Sequence, residues 1–401
     1  MPHALRVRDF RYLWAARAIA GLGTSMLVVA IPAHVYAVTG SVLATGVTLA
    51  FESLPALLLG TVSGAVADRW DRRRLMITAD LVHAAAISVA LLARSPETIW
   101  LVYVAVLGQG TAAVFFRPAS QAHIPAVVGT GPELTSANAI SSVSTGVVGL
   151  AGPPLGGLLF AMYGIDAVVG AAAAAGLLSA TGIALTSARP HTHLGGRSGL
   201  GQGLRLVRRA PATRALLAAN GTYLLANAAL TALLVPFAVS TFGGSTDVGY
   251  LLSALGLGFL VGAPVSRRLV DRFAPRPVIA VAQALVGAAF LLMFNSTSLP
   301  FALAAAFLLG LPGVTVMVAV QTFVQRATPG ELLGRVTAVF MTVEAAVAMT
   351  GAFAGPAMSE AYGLPVALNV ACSVTFLSAL ITLWFVPAGA VRQELSPSPR
   401  R

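Results

Sequence analysis

Long apolar runs, separated by short polar turns, fill most of the 401-residue chain. In the first of them no residue between Ala18 and Phe51 is charged. A helix that crosses a bilayer needs about 20 apolar residues. On that measure the sequence predicts an all-α polytopic membrane protein with twelve transmembrane helices. The predicted spans are 10–38, 42–67, 74–94, 98–118, 134–162, 166–187, 212–240, 247–269, 275–295, 299–323, 334–361 and 364–386.

The longest polar segment lies between the sixth and seventh predicted spans. Residues 188–211 are rich in glycine and arginine, which is typical of a linker. The sequence therefore predicts an N-terminal six-helix half at 1–187, a cytoplasmic linker at 188–211, and a C-terminal six-helix half at 212–401 that ends in a short cytoplasmic tail.

Two dipeptides recur at one spacing and predict that the two halves are homologous. Asp68-Arg69, in the turn between spans 2 and 3, is matched 203 residues later by Asp271-Arg272. Gly152-Pro153 in span 5 is matched at the same spacing by Gly355-Pro356 in span 11. Two independent matches at one spacing favour a duplicated six-helix unit.

Glycine pairs at helical spacing occur in spans 2, 5, 8 and 11, one in every third helix. Such pairs let two membrane helices approach closely, so each is expected at a close helix contact. The pairs are Gly60/Gly64, Gly152/Gly156, Gly258/Gly262 and Gly351/Gly355. The Gly-Pro steps of spans 5 and 11 also remove a backbone donor and loosen the helix, either as a kink for packing or as a hinge for movement.

Composition and charge agree with a membrane protein. Hydrophobic residues make up 57% of the chain and charged residues 10%, against about 25% charged in soluble domains. The net charge of +11 is better explained as an orientation signal than as a nucleic-acid surface. Of the 25 basic residues, Arg17 lies inside span 1 and only Arg94 lies on the face opposite the N-terminus. Because positive loops stay in the cytoplasm, both termini are predicted on the cytoplasmic side of a bacterial inner membrane.

Four charged residues lie inside predicted spans, where each costs on the order of 2.5–3.5 kcal/mol, and all four are candidates for proton coupling. Arg17 and Asp80 lie several residues from the cytoplasmic ends of spans 1 and 3, and an ion pair between them is expected. Glu52 in span 2 and Glu344 in span 11 have no basic partner at comparable depth. A carboxyl group in such a place can bind and release a proton. The alternative is that one or both face a water-filled cavity and bind a cationic substrate.

The basic turn and span 5 resemble motifs of the major facilitator superfamily. The motif between spans 2 and 3 of that superfamily matches Gly64, Asp68, Arg69, Arg72 and Arg73. Asp71 replaces its usual glycine. The antiporter motif of span 5 is similar to 149–157, which contains Gly152, Pro153, Gly156 and Gly157. Segments 115–125, 133–139 and 321–335 resemble the drug/proton antiporter branch that contains macrolide efflux proteins and the enterobactin exporter.

The resemblance implies a fold in which spans 1, 4, 7 and 10 line a central cavity. Polar residues of these spans are therefore candidates for substrate binding: Gln109, Asn220, Tyr223, Asn227 and Gln321. The three on span 7 recur at i, i+3 and i+7, which places them on one helical face. Their surroundings are apolar, so the expected ligand is amphipathic.

The resemblance also implies a gate at the basic turn. Asp68 would approach the start of span 11 near Gly334, where a carboxylate stabilises a helix N-terminus, and Arg72 or Arg73 would hold it. Asp271 and Arg272 are the second copy of this gating motif. One departure concerns coupling: Val106 stands where many drug/proton antiporters of the superfamily carry an arginine, so any proton must bind elsewhere.

Together these features predict a secondary-active transporter, with proton-coupled efflux of a drug, antibiotic or siderophore-like metabolite by alternating access. Uptake or facilitated transport of a small metabolite is the alternative, since a fold does not fix function. A permease subunit or a membrane enzyme is less favoured, because the chain has neither a zinc-protease nor a nucleotide-binding loop motif. The expected partners are the substrate, protons and lipid, for a monomer without cofactor, metal or nucleic acid.

Overall fold

The computed structural model of the chain describes residues 3–129, 132–187, 200–328 and 330–387. These residues form helices joined by short turns. The helices are α1 Arg8–Thr39, α2 Val42–Arg69, α3 Arg72–Ser88, α4 Trp100–Val128, α5 Pro132–Ala184, α6 Leu200–Arg209, α7 Pro211–Phe242, α8 Ser245–Arg272, α9 Pro275–Phe294, α10 Leu299–Ala327, α11 Gly330–Tyr362 and α12 Leu364–Phe385, with short 3-10 turns at His3–Arg6, Val89–Leu92 and Pro96–Thr98.

Eleven stretches of the described residues are long and apolar enough to cross a membrane. The difference from the twelve predicted spans arises in α5, which is 53 residues long and contains 134–162 and all but the last three residues of 166–187. Gly164 interrupts it with φ 74° and ψ −170°, a conformation open to glycine because it has no Cβ. The prediction of a helical protein that crosses the membrane several times is therefore confirmed.

Contacts with α1 show that the chain reverses direction at Gly164. Before it, Ser144 accepts a hydrogen bond from Trp14, and Gly156 lies against Met26, farther along α1. After it, Ala172 packs on Gly23, and Gly182 then lies back against Ala16. The two parts of α5, 132–163 and 165–184, therefore run antiparallel to each other, and both pack against α1.

The predicted linker at 188–211 contains a helix, which the sequence analysis did not predict. Residues 188–199 lie outside the described residues, whereas 200–209 form α6, which packs against α7 and α11. Val207 is buried in this contact, and Arg205, Arg208 and Arg209 are exposed. One apolar face and one basic face give α6 a reason to fold on its neighbours, which the glycine content alone conceals.

The described residues divide into two compact units, one within 1–196 and 243–253 and the other within 197–242 and 254–401. In the first unit α5 packs against α1 and α3, and α4 packs against α2 and α3. In the second unit α7 packs against α11 and α12, and α9 packs against α10 and α12.

Helix lengths repeat along the chain. The helices α1 and α7 have 32 residues each, α2 and α8 have 28 each, and both pairs begin 203 residues apart. The helices α4 and α10 have 29 residues each and begin 199 residues apart. Positive-φ glycines follow the same two spacings, with Gly40 and Gly243 at 203 and Gly164 and Gly363 at 199.

The repeat corrects the predicted match between Gly152-Pro153 and Gly355-Pro356. Gly152 lies against Ser25 of α1, and Gly351 lies against Ala228, the corresponding residue of α7. Residues of α5 therefore correspond to residues of α11 that come 199 positions later in the chain. At this spacing the two Gly-Pro steps do not match and lie one helical turn apart. The connection that precedes α10 is shorter than the one that precedes α4. Every helix after it therefore follows its counterpart at the shorter spacing.

Close helix contacts occur at three of the four predicted glycine pairs. Gly152/Gly156 lies on α1, Gly258/Gly262 on α10, and Gly351/Gly355 on α7. Among the described residues a Cβ at Gly60 would meet no atom within 4 Å, and the surroundings of Gly64 lie outside the described part, so the contact expected at this pair stays a prediction. The close approach to α2 comes from α4, where a Cβ at Gly110 would lie 2.7 Å from the Glu52 carbonyl oxygen.

Candidate transport site

Glu344 and Asn220 come together in the second unit. The Asn220 side-chain amide of α7 donates a hydrogen bond to Glu344 Oε1 of α11 at 3.3 Å. Asn220 and Tyr223 are buried, and Asn227 is half-buried. The structure thus joins a residue predicted for proton coupling to one predicted for substrate binding, a pairing that spacing along the sequence cannot reveal.

Glu52 and Gln109 line one narrow crevice in the first unit, together with Pro32 and Val106. Gln109 is 5% exposed, and its Oε1 has no hydrogen-bond partner among the described residues. No ion pair to Glu52 is found among them either. A carboxyl group and an unsatisfied amide oxygen therefore share a crevice whose remaining lining is mostly apolar.

The expected ion pair between Arg17 and Asp80 is absent from the described residues, so this prediction is wrong. Asp80 instead accepts a hydrogen bond from Ser179 Oγ at 2.6 Å. The cause is the rotation of α1. Ala16 faces Gly182 in the second part of α5, and the next residue, about 100° further around the helix, points to the first part.

Asp80 has an uncharged counterpart in the second unit. Gln283 of α9 lies 203 residues after Asp80, is fully buried, and accepts a hydrogen bond from Thr382 Oγ1 at 2.7 Å. The residue at this helix position thus accepts a hydrogen bond from a hydroxyl group of the facing helix, both where it is charged, as Asp80, and where it is neutral, as Gln283. Sequence reasoning missed Ser179, Gln283 and Thr382, because single hydroxyl and amide groups are ordinary in membrane helices.

The basic turn is only partly described. The backbone of Gly64, Asp68 and Arg69 is helical, while the surroundings of these residues and of Gly334 lie outside the described part, so the gate remains a prediction. Arg73 donates from Nε to the Ile183 carbonyl oxygen at 3.2 Å and from Nη2 to that of Ala184.

These contacts of Arg73 fall at the C-terminal end of α5, where a cation offsets the helix dipole. Asp71 begins α3 by accepting a hydrogen bond from the Arg74 amide at 2.7 Å. The departure from the motif glycine at position 71 therefore gives α3 an N-cap.

The second copy of the turn forms an exposed ion pair. Arg326 Nη2 at the end of α10 lies 2.9 Å from Asp271 Oδ1, and Arg272 is exposed. Gln321, also on α10, is exposed as well. The predicted hinge residues are buried in helix interiors: Gly152, Pro153, Gly156, Gly157, Gly355 and Pro356. Among the described residues no three His, Cys, Asp or Glu side chains group as metal ligands do.

Comparison with known proteins agrees with this architecture. The family model described as transmembrane secretion effector matches residues 2–399. The multidrug efflux pump Tap of Mycolicibacterium fortuitum is 27% identical over 92% of this chain and 93% of its own. The enterobactin exporter EntS of Citrobacter koseri is 26% identical over 97% of this chain and 94% of its own.

Solved structures are similar in fold. The crystal structure of a mutant of the nucleoside transporter NupG has a TM-score of 0.79 and 11% identity, and the match covers 94% of this chain and 100% of that one. At this identity the likeness concerns the fold alone. The match over nearly the whole chain, with its many apolar helices, shows that this multi-pass membrane protein belongs to the transmembrane secretion effector family of major facilitator superfamily transporters.

Proposed function

We propose that the chain exports a small amphipathic compound against its gradient, driven by inward proton flow through alternating access. The observation that carries this proposal is the hydrogen bond between Asn220 and Glu344. A protonatable group in contact with a substrate-binding group lets occupancy of one change the affinity of the other, which is the linkage that coupled transport needs.

A comparable arrangement in the first unit supports the proposal. Glu52 lines the same crevice as Gln109, whose shielded Oε1 has no partner among the described residues, and a protonated carboxyl group is a hydroxyl donor. The named activities of Tap and EntS, drug efflux and siderophore export, agree with an outward direction and with an amphipathic substrate.

The proposal includes twelve transmembrane helices in two homologous six-helix halves, at 1–187 and 212–401, in a monomer. The reversal at Gly164 provides the extra crossing, and the repeated helix lengths support duplication. The arginine distribution favours cytoplasmic termini in a bacterial inner membrane. Asp68 and Asp271, with their neighbouring arginines, are proposed as the cytoplasmic gate.

The test replaces each carboxyl group by an amide that keeps shape and hydrogen bonding but cannot titrate. In everted vesicles with an imposed pH gradient, we expect Glu344→Gln or Glu52→Gln to abolish uphill transport of an amphipathic dye. Downhill exchange of bound dye should survive, because the amide still occupies the site. Dye accumulation and counterflow are measured on the same vesicles.

Glu97→Gln is the matched control, because Glu97 is exposed in a short 3-10 turn outside the long helices. It should leave both rates unchanged. Pumping that persists in both single variants and in the double variant would remove both carboxylates from the coupling role.

A further inference from the structure

Arg17 is a half-buried cation of α1 to which the proposed coupling through Glu52 and Glu344 assigns no role. Among the described residues nothing hydrogen-bonds to its guanidinium group, and Nη1 is fully shielded from solvent. The side chain lines a cavity of about 110 Å³ between α1 and the first part of α5, together with Trp14, Ser141, Ser144 and Thr145. A cation that is partly withdrawn from solvent without a counter-ion is stabilised by a nearby anion, so this position favours binding of one.

The second unit shows what fills the equivalent place. Arg17 of α1 corresponds to Asn220 of α7 at the spacing of 203, and Thr145 of α5 corresponds to Glu344 of α11 at the spacing of 199. In the second unit Asn220 of α7 donates a hydrogen bond to the carboxylate of Glu344 on α11. In the first unit the donor carries a full charge, and a short neutral Thr145 leaves a cavity where that carboxylate would lie.

The hydrogen-bond inventory of the cavity wall selects the ligand. Ser144 Oγ donates to the Ile140 carbonyl oxygen and accepts from Trp14 Nε1, and Thr145 Oγ1 donates to the Ser141 carbonyl oxygen. The hydrogens of these two hydroxyl groups are therefore in use, so the donors left for a ligand are the Ser141 hydroxyl group and the guanidinium group, of which only the second is charged. Its planar array of N–H groups matches the paired oxygens of a carboxylate or phosphate.

We propose that the cavity beside Arg17 binds an oxyanion, a carboxylate or phosphate group carried by an amphipathic molecule. Arg17 lies nine residues into α1, roughly 14 Å from its start, so an apolar tail can continue along the membrane while the anionic end binds. Two sources have this chemistry, an anionic exported compound and an anionic phospholipid. The first source rests on the proposed export function, whereas the site itself does not.

Trp14 lines the same cavity and provides a direct readout of binding once the other three tryptophans, Trp70, Trp100 and Trp384, are replaced by Phe. This full-length protein, purified in a neutral detergent, is titrated with 12-bromododecanoate, whose bromine quenches nearby tryptophan, and with the uncharged 12-bromododecanol. We expect saturable quenching by the carboxylate and about tenfold weaker apparent affinity for the alcohol, as the loss of one charge-assisted hydrogen bond predicts. Equal quenching by the two compounds would overturn the proposal before any substitution of Arg17 is made.

Variants then assign the effect to the guanidinium group. Arg17→Gln should weaken carboxylate binding about tenfold, and Arg17→Lys should retain part of it as a point charge. Trp14→Phe should remove the signal, while Arg205→Gln, at an exposed arginine of α6, should change nothing. Unchanged carboxylate affinity in a folded Arg17→Gln protein would contradict the assignment.

Two further arms separate the sources. In nanodiscs, quenching of Trp14 by brominated phosphatidylglycerol but not by brominated phosphatidylcholine identifies a lipid. In vesicles, loss of carboxylated-dye export in Arg17→Gln with cationic-dye export intact identifies a substrate. If the wild type exports neither dye, the proposed export function is contradicted, while the quenching experiment still tests the oxyanion site. If Arg17→Gln changes neither the lipid quenching in nanodiscs nor the dye export in vesicles, the site is rejected.

Discussion

Asp80 illustrates how a charge inside a membrane helix can have a purely structural partner. Its carboxylate accepts a hydroxyl hydrogen bond from Ser179, and Gln283 does the same with Thr382 at the corresponding position of the second unit. Since Gln283 cannot titrate, what the two positions share is an acceptor, and the negative charge is dispensable for the contact.

Replacement of Asp80 by Asn should therefore preserve both folding and uphill transport, because the amide oxygen still accepts from Ser179. Asp80→Ala should lower the free energy of unfolding by about 1–3 kcal/mol, since a buried hydroxyl loses its partner. Thermal unfolding and dye accumulation in everted vesicles measure the two effects. A well-folded Asp80→Asn protein that no longer pumps would return Asp80 to the coupling path.

Individual charged positions were predictable from the sequence, but their partners were not. Arg17, Glu52, Asp80 and Glu344 stand out because charge is expensive within an apolar run. Which side chain each one meets depends on helix rotation, and a change of one residue turns a side chain by about 100°. That is why the pairing of Arg17 with Asp80 was wrong, and why the contact between Asn220 and Glu344 was not foreseen.

Contacts between helices depend on glycine in specific places. A Cβ at Gly262 would lie 2.7 Å from the Leu311 carbonyl oxygen of α10, whereas a Cβ at Gly60 would meet none of the described residues within 4 Å. The same substitution should therefore have opposite consequences in α8 and α2.

Gly262→Ala should destabilise the protein by about 1–3 kcal/mol, because α8 and α10 must separate to admit the methyl group. Gly60→Ala should be neutral or stabilise by up to about 1 kcal/mol through helix propensity. Detergent-solubilised thermal unfolding of the two variants gives the comparison. A similar loss of stability in both variants would show that the distance from the added Cβ to its nearest neighbour does not decide the effect of the substitution.

Helix positions followed from apolar length and were predicted well, whereas register was not. The spacing of 203 holds for α1, α2 and α3 but changes to 199 from α4 onward, since a shortened connection shifts everything after it. The Gly-Pro match at 203 was a coincidence of one helical turn. Likewise, α6 was not predicted, because glycine-rich composition is typical of a linker, while the packing of α6 against α7 and α11 is a tertiary effect.

The proposed topology makes a prediction about sidedness. Reporter fusions after Arg197 and at the C-terminus should both report the cytoplasm, and one near Asp247 should report the outside, because arginines concentrate on one face. A paired alkaline phosphatase and fluorescent-protein reporter reads each side. A periplasmic signal after Arg197 would overturn the twelve-span arrangement.

The turn at Gly164 also bears on how the protein is made. The chain reverses there with Tyr163 and Ile165 as immediate neighbours, and both arms are apolar. Asp166, which is exposed beside the turn and paired with Arg94, is the charged residue between the arms. The insertion machinery therefore receives two apolar arms without a hydrophilic loop to separate them. The two arms are then expected to leave the translocon together, as a preformed helical hairpin, with the burial of each arm against α1 helping to set the orientation of the other.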